Sequence, residues 1–515
     1  MKHVNRTLMV AGLAAAGHAA SAQSVGSACG CPDVASRPQV LMSTLVDAND
    51  NQLSANTTLT CNNLYILDTR HYVGNGQDLF IEPGTVIKAQ SNAGAAHAII
   101  VTRGGQIWAN GSETCPIIMT SVNDPLDGSY SVLNRGQWGS LVVLGRAYTN
   151  KQNTDNDPTE TAVNGVGSIE GLAVGDPRHE FGNPVGTEIN DDNSGVIRYV
   201  SLRHGGEIIG ANNEINGLTL GGVGTGTTID HVEVVANKDD GFEFFGGTVN
   251  AKNLVAFHCD DDYIDWDNGW NGKLQFVYGI QGPDNSGGAN NQGDNGFESD
   301  GDDAATNTGI KSNPIVYNAT IIARNLNDEA IEAKERTLGS ITNSIFARFA
   351  RGLNMTTEVG ASWNGGTFNV KNCTFQEVAT PLRINNVVPA GGSPEQTKFA
   401  ADGNLSVGAN ALIDATYTMG ANNSLTDRVN PVPPAGAVAA QTTLTPPVDG
   451  FFTGAKYRGA FQPGVAPWTE GWTLAAQIGL DVAASAGCTG DLNRDGIVNA
   501  TDFGLFVNAF NNTCY

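Results

Sequence analysis

The sequence contains Gly241-Phe242-Glu243-Phe244, and the same outline returns at Tyr263-Ile264-Asp265-Trp266 and at Gly296-Phe297-Glu298-Ser299. Four further segments share it: Gly217-Leu218-Thr219-Leu220, Ala330-Ile331-Glu332-Ala333, Gly352-Leu353-Asn354-Met355 and Pro381-Leu382-Arg383-Ile384. A polar residue follows an apolar one in each, and this alternation is typical of a half-buried β-strand. The polar residues are 24 positions apart from 219 to 243, and 22 apart from 243 to 265 and from 332 to 354. This spacing indicates stacked repeats of one short unit.

A second series of strands precedes the first in most repeats. It comprises Asn253-Leu254-Val255-Ala256, Asn318-Ala319-Thr320-Ile321, Asn343-Ser344-Ile345-Phe346 and Asn372-Cys373-Thr374-Phe375. The asparagine suits a turn in which its side-chain amide bonds to the backbone. Two or three short strands in each repeat of about 22 residues predict an all-β parallel β-helix, whose rungs lie about 4.8 Å apart.

The composition agrees with strands joined by tight turns and excludes some classes of partner. Of the 515 residues, 64 are glycine and 40% are hydrophobic, which is enough for a large core. Acidic residues outnumber basic ones by 52 to 28, so the net charge is −24. Nucleic acids and anionic membranes need a basic surface, so neither is an expected partner, whereas metal cations and polyanions bridged by them remain open.

The chain also carries a family resemblance over most of its length. The stretch from Ile81 to Ser121, followed by Gln137 to Gly145, resembles secreted bacterial right-handed parallel β-helix proteins of the pectin-lyase-like type. Tyr457-Arg458-Gly459-Ala460-Phe461, with Trp468 to Thr473, is similar to the closing segment of one such group. The resemblance spans most of residues 64–475 and implies a right-handed parallel β-helix. It is specific for the fold and implies no particular reaction.

The chain divides into five predicted segments. These are a signal peptide at 1–22, an N-terminal cap at 23–63, the β-helix at 64–390, a C-terminal cap and linker at 391–487, and a small module at 488–515. Lys2 and Arg6 precede the apolar run 8–16, and Ala20-Ser21-Ala22 forms a cleavage site, so export to the cell surface or the extracellular space is expected. No later apolar run is long enough for a transmembrane anchor.

Eight cysteines in an exported chain predict disulfide bonds. Cys488 and Cys514 bracket the last module and are expected to pair with each other. Cys373 occupies an apolar strand position and is expected to be a buried free thiol.

The last module contains the ligand spacing of a calcium-binding EF-hand loop. Oxygen ligands are expected from Asp491, Asn493, Asp495, Asn499 and Asp502, together with the backbone carbonyl of Ile497. Gly496 lies where such a loop turns sharply. The loop and the helix predicted after it resemble a single dockerin type I repeat. That resemblance implies Ca²⁺ binding and an anchoring role, with a cohesin-like or other cell-surface partner.

A second candidate calcium site lies on the repeats themselves. Stacking places Glu243, Asp265, Glu298 and Glu332 in one column, with Asp267 and Asp300 two residues further along on the same face. Unpaired carboxylates about 4.8 Å apart repel each other unless a cation lies between them. An oxygen-rich surface of this kind suits Ca²⁺. No other cofactor site is expected.

Three interpretations of this acidic column remain open. It is a calcium-loaded surface that binds polysaccharide, a catalytic groove, or a solvated face on a structural or adhesive rod. A polysaccharide lyase would need a basic group, for which Lys238, Lys334 and Arg336 are candidates. A glycoside hydrolase would instead use two carboxylates, such as Asp265 and Glu298, as acid and base.

Aromatic side chains stand among these acidic residues and are candidates for stacking on sugar rings. Tyr263, Trp266, Trp270 and Phe245 all lie in this part of the sequence. Alternation points Trp266 towards the core, whereas Phe245 and Trp270 are expected to face solvent. The favoured function is therefore an exported, calcium-binding β-helix protein that binds polysaccharide, with a calcium-dependent lyase or hydrolase as the alternative.

Overall fold

The computed structural model describes residues 25–91, 96–152, 162–169, 171–173, 175–210, 213–281, 294–302, 308–324, 328–419, 423, 425–427, 429–440 and 443–481. The predicted signal peptide and the calcium module with Cys488 and Cys514 lie outside these residues. The described chain is mostly β-strand, with three α-helices, at Thr357–Gly365, Pro394–Ala401 and Leu474–Gln477. Short 3-10 helices cover Ser27–Cys29, Val34–Ser36, Met42–Leu45 and Ala435–Ala440.

One face of the molecule is a sheet of ten parallel strands. In order they are His71–Val73, Ile99–Val101, Leu141–Leu144, Leu218–Gly221, Phe242–Phe245, Ile264–Asp267, Phe297–Ser299, Glu329–Ala333, Arg351–Met355 and Thr380–Ile384. Every neighbouring pair is parallel, and the sheet order follows the chain order. Each strand therefore belongs to a successive rung, and the sheet extends for about 43 Å along the axis at about 4.8 Å per rung.

The remaining faces are formed by a second, larger set of paired strands. Its strands are Gln39–Leu41, Thr57–Leu59, Leu64–Leu67, Asp78–Ile81, Val86–Ala89, Gln106–Asn110, Ile117–Ser121, Gly195–Arg203, Thr228–Val235, Asn250–Phe257, Lys273–Ile280, Ile315–Ile322, Gly339–Thr342, Ile345–Ala347, Phe368–Lys371, Thr374–Gln376 and Leu405–Val407. The strand Gly195–Arg203 pairs with Gln106–Asn110 through its first half and with Ile117–Ser121 through its second. It therefore bends from one face of the β-helix to the next.

These bends occur at a single column of residues in the left-handed backbone conformation. Tyr199, His231, Asn253, Phe276, Asn318, Asn343 and Asn372 occupy equivalent positions in successive rungs, with φ between 48° and 61°. Asparagine tolerates this conformation better than most residues, which explains why it recurs here. The side-chain amides of Asn318 and Asn343 bond to backbone, but to a distant segment and not within their own turns. They donate to the carbonyls of Tyr457 at 2.8 Å and Leu444 at 2.7 Å.

The core runs along the axis and is filled by the apolar positions of the repeats. Phe242, Phe244, Ile264 and Phe297 are among its fully buried members. Alternation within each strand turns these residues inwards and leaves the intervening polar ones on the outer face. This arrangement fixes the positions of the acidic residues.

Strand pairing extends beyond the predicted limits of the β-helix, 64–390, at both ends. At the C-terminal end, Leu405–Val407 pairs with Thr374–Gln376. Gln39–Leu41 already pairs with Leu64–Leu67, inside the segment expected to be an N-terminal cap. Two disulfides, Cys31–Cys61 and Cys29–Cys115, tie the first rungs together. Cys373 is a buried free thiol, as predicted.

Residues 443–481 form an extended strap along the flank of the rod rather than a free linker. Arg458 is fully buried and donates to the Cys373 carbonyl at 2.8 Å. The backbone of Thr453 exchanges two hydrogen bonds with the Gln275 side chain. Near the strap's end, the amides of Leu474 and Ala475 donate to the buried Glu233 carboxylate, which stabilises the first turn of the last helix.

Three small hairpins complete the described secondary structure. They pair Val166–Ser168 with Glu180–Gly182, Ile208–Gly210 with Asn213–Glu214, and Thr418–Met419 with Leu425–Asp427, all antiparallel. No helix within the described ranges is long and apolar enough to cross a membrane.

Candidate functional site

The strand register aligns the acidic residues in one column. Glu243 pairs with Asp265, Asp265 with Glu298, and Glu298 with Glu332. The alignment continues to Thr219 on one side and to Asn354 on the other. The four carboxylates therefore occupy consecutive rungs on the outer side of the ten-strand sheet.

Carboxylate oxygens converge at the first half of this column. Asp240, Glu243 and Asp265 each place one oxygen within 4.8 Å of the other two. In a second group, Asp239, Asp240 and Asp261 likewise place one oxygen each within 4.8 Å of one another. Asp240 belongs to both groups, so these five residues form one continuous acidic cluster, which we call the Asp240 cluster.

The Asp240 cluster is held in place by hydrogen bonds from neighbouring turns. The Asp262 amide donates to Asp240 Oδ1 at 2.9 Å, and the Asp240 amide donates to Asn216 Oδ1 at 3.2 Å. The Asn216 side-chain amide in turn donates to the Glu243 carboxylate. These bonds fix the carboxylates close together despite their mutual repulsion.

The electrostatics of the cluster favour either bound protons or a bound cation. Burial raises the pKa of Asp240 well above its usual value, and the neighbouring Asp239, Glu243 and Asp261 raise it further. The pKa of Asp265 is also well above its usual value, because of burial first and then nearby carboxylates. A cation among these oxygens would relieve both effects.

Unsatisfied oxygen atoms lie beside the cluster and extend along the sheet. Asp265 Oδ1, Asp300 Oδ1 and Ser299 Oγ are buried and have no hydrogen-bond partner among the described residues. Buried polar atoms normally have partners, and oxygen is the ligand that Ca²⁺ prefers. The donor set therefore fits a hard divalent cation.

The second half of the column forms a different group, centred on a lysine. Lys334 is ion-paired with Glu298, and its Nζ lies 3.6 Å from Asp300 Oδ2. Burial would lower the pKa of Lys334, but Asp300, Glu298 and Glu332 outweigh it and raise the pKa. The predicted six-carboxylate site is thus divided: Glu243 and Asp265 join the Asp240 cluster, whereas Glu298, Asp300 and Glu332 surround Lys334. The sixth, Asp267, belongs to neither group and accepts a hydrogen bond from the Asn268 side-chain amide.

The basic residues considered for lyase chemistry are all engaged by other groups. A general base needs a pKa near the working pH, and the raised pKa of Lys334 is opposite to that requirement. Lys238 is ion-paired with Asp260. Arg336 donates to the Asp302 carbonyl at 2.7 Å. The geometry therefore disfavours these three residues as bases.

Asp262 and Glu298 form a carboxyl pair with opposed pKa shifts. Burial raises the pKa of Asp262 well above its usual value, with Glu298 contributing further. Burial would also raise the pKa of Glu298, but hydrogen bonds from Asp262 and Lys334 outweigh it, and the pKa is lowered. Asp262 therefore holds the proton and Glu298 the charge, which is the division of roles found in acid–base pairs.

The expected aromatic platform is absent from the described part of this face. Trp266 points inwards as predicted, but Trp270 is also fully buried, stacked on Phe244 at 4.2 Å between ring centroids. The expectation of an exposed Trp270 was wrong, because it follows a turn at Asn268, where strand alternation no longer applies. Phe245 is half-buried against Phe181.

Stacked parallel strands on several faces define this molecule as a parallel β-helix protein, and one of these faces carries the Asp240 cluster. Residues 51–421 match the family described as Pectate-lyase like beta helix domain. The match covers well over half of the chain, which therefore belongs to this family. No match was found among curated proteins, and none among solved structures.

Proposed function

We propose that this is an exported protein that binds Ca²⁺ at the Asp240 cluster and uses the bound ion to hold polysaccharide. The family's fold supports a polysaccharide-related role. The carrying observation is the convergence of Asp240, Glu243 and Asp265 within 4.8 Å, at positions where burial and mutual repulsion disfavour three bare charges. The two disulfides agree with an oxidising compartment outside the cytosol.

Bound Ca²⁺ supplies free coordination positions to a ligand. The ion takes six to eight oxygen ligands, and a site built from a few side-chain carboxylates leaves some positions open. Hydroxyl and carboxylate oxygens of a polysaccharide are suited to occupy them. The polypeptide's part is to hold Asp240 and Glu243 on one rung and Asp265 on the next, so that their oxygens converge on one ion.

The C-terminal module is proposed to anchor the rod at the cell surface or in the extracellular matrix. Its support is the ligand series Asp491, Asn493, Asp495, Ile497, Asn499 and Asp502, with Gly496 at the turn. Calcium binding there and a cohesin-like partner are both part of the proposal.

Calorimetric calcium titration and a glycan array together test the function of the rod. The wild-type protein should retain glycans in Ca²⁺ and release them in a chelator. Asp265→Asn should lose this retention, because it removes a carboxylate from the cluster, whereas Asp33→Asn, an exposed residue near the N-terminus, should behave as wild type. Equal retention by both variants would contradict the proposal.

A hydrolase is the second candidate, because Asp262 holds a proton and the neighbouring Glu298 carries a charge. Any glycan captured on the array should be incubated with the protein and its products analysed. Shortened reducing-end products that disappear with Glu298→Gln would establish hydrolysis. Unsaturated products would establish a lyase. An unchanged glycan supports binding alone, and a protein that captures no glycan is a structural or adhesive rod.

A further inference from the structure

A pocket of about 370 Å³ lies near the N-terminal end of the ten-strand sheet, apart from the acidic cluster. Its polar lining includes Asn75, Thr102, Arg103, Arg146 and Arg178. Three arginines line this one pocket, although the chain carries a net charge of −24. The volume falls at the small end of the range found for ligand pockets, about 300–1,000 Å³.

Two of these arginines build the wall of the pocket. Arg178 donates to both carboxylate oxygens of Asp176 and to the Asp50 carbonyl, and its guanidinium lies 4.2 Å from the centre of the Tyr72 ring. Arg103 bonds to Glu180 at 2.5 Å and to the Gly182 carbonyl at 3.0 Å. These contacts fix residues 176–182 against the rod.

Arg146 differs from them because its donors remain largely unused. Its Nε is buried and has no hydrogen-bond partner within the described residues. Its ion-pair partner, Asp192 Oδ1, lies 3.5 Å away, whereas charge-assisted hydrogen bonds measure about 2.7–2.9 Å. The side chain is one-third exposed, so a ligand that enters the pocket can reach it.

A glycine makes room for the Arg146 guanidinium. Gly104 has φ +83°, and a Cβ added there would come within 2.2 Å of both Arg146 Nη2 and Asn75 Oδ1. The Arg146 guanidinium and the Asn75 side-chain oxygen therefore occupy the space beside Gly104 that a side chain at this position would need. Any other residue at 104 would displace them.

We propose that this pocket binds a carboxylate or sulfate group carried by a sugar, with the Arg146 guanidinium as its principal contact. A planar guanidinium offers paired donors that match two oxygens of such a group. Positive charge from Arg103 and Arg178 lines the same cavity, although each is balanced by a carboxylate. The sugar part of this proposal rests on the proposed function, whereas the oxyanion part rests on the pocket alone.

The test is a calorimetric titration in buffer freed of divalent cations by a chelating resin. The probes are galacturonate, galactose 6-sulfate and neutral galactose. Removing the cations silences the Asp240 cluster, so failure of the calcium proposal and failure of the pocket give separate results. Arg146→Gln is the test variant. Arg198→Gln is the matched control, because Arg198 also has its Nε 3.5 Å from an aspartate and is similarly exposed at 41%, outside the pocket.

The wild type and Arg198→Gln should bind one or both anionic sugars and not galactose. Arg146→Gln should weaken that binding by about tenfold or more, since it loses a charged, forked donor. Binding should also fall with added salt. A preference for one anionic sugar would show which oxyanion the pocket takes.

If Arg146→Gln lowers the unfolding temperature, Arg146→Lys serves in its place, because it keeps the charge and loses only the fork. It should bind more weakly than the wild type. Equal binding by the wild type and the Arg146 variant would overturn the proposal. So would the absence of wild-type binding to either anionic sugar at about 10 mM, a concentration that detects even millimolar affinity.

Discussion

Replacing Asp240 with asparagine is expected to stabilise the cation-free protein and to abolish its stabilisation by calcium. Asp240 is shared by both groups of converging carboxylates, so one substitution weakens both. Asparagine keeps the oxygen that accepts the Asp262 amide, and the hydrogen bond that shapes the turn is retained. The change therefore acts mainly on charge.

The size of the effect follows from the spacing of the carboxylates. Two charges 4.8 Å apart repel by about 3.5 kcal/mol at an effective dielectric of about 20. At pH 7 protonation costs about 4 kcal/mol for a group whose usual pKa is near 4. Burial and the further carboxylates add to the repulsion from one neighbour, so Asp240 keeps its proton, and this cost sets the upper limit of the effect. Asp240→Asn should thus raise the unfolding free energy by about 1 to 4 kcal/mol at pH 7.

Thermal unfolding with and without calcium measures both parts of this prediction. For the 371 residues from 51 to 421 (421 − 51 + 1), an unfolding entropy of about 2.1 cal/mol/K per residue converts 1 kcal/mol to about 1 °C. Cation-free Asp240→Asn should melt about 1 to 5 °C above the wild type. Calcium at about 100 times its Kd should raise the wild type by about 3 °C and leave Asp240→Asn unchanged.

Two controls isolate the Asp240 cluster. All chains carry Asp495→Ala, so that the predicted C-terminal loop adds no calcium response, and Asp33→Asn should follow the parent in both conditions. A lower melting temperature for cation-free Asp240→Asn, or an undiminished response of this variant to calcium, would refute the reasoning.

Three further predictions concern the fold. Gly195→Ala should cost at least about 3 kcal/mol in denaturant unfolding, because φ is +107° and the new Cβ would lie 1.9 Å from a carbonyl oxygen. Gly365→Ala, at an exposed helix position with open space around it, should be neutral or stabilising by up to about 1 kcal/mol. Cys259 and Cys373 should resist thiol reagents until the protein unfolds, since burial raises the pKa of each thiol to about 12. Labelling of either cysteine in the native protein, detected by mass spectrometry, would contradict this. Burial raises the pKa of Asp328 to about 6. The protonated group therefore adds stability below about pH 4, and this contribution is lost as the pH rises through about 6. The melting temperature of the cation-free protein should fall less between about pH 4 and pH 6 in Asp328→Asn than in the wild type.

The repeat could be predicted from the sequence almost residue by residue. The polar positions 219, 243, 265, 298, 332, 354 and 383 fall in one register. They do so because alternation within a strand is a local property that the backbone imposes. The right-handed sense of the coil and the calcium sites remain predictions.

Features that depend on turns or distant contacts could not be derived in this way. The Asp240 cluster exists because a turn brings Asp240 beside Glu243 and Asp265, and the sequence shows only neighbouring aspartates there. Trp270 is buried because the chain turns before it. The burial of Arg458 depends on residues 85 positions away, a distance at which periodicity carries no information.

The strap along the flank of the rod runs back from its C-terminal end towards its middle. At its far end the Tyr278 hydroxyl donates to the Leu480 carbonyl, and Glu233 caps the helix beside it, so residue 481, the last one that the structure describes, lies near the middle of the stack. An anchor in the C-terminal module, as proposed, would therefore be connected to the side of the rod. Such a side attachment would leave both tips of the rod free.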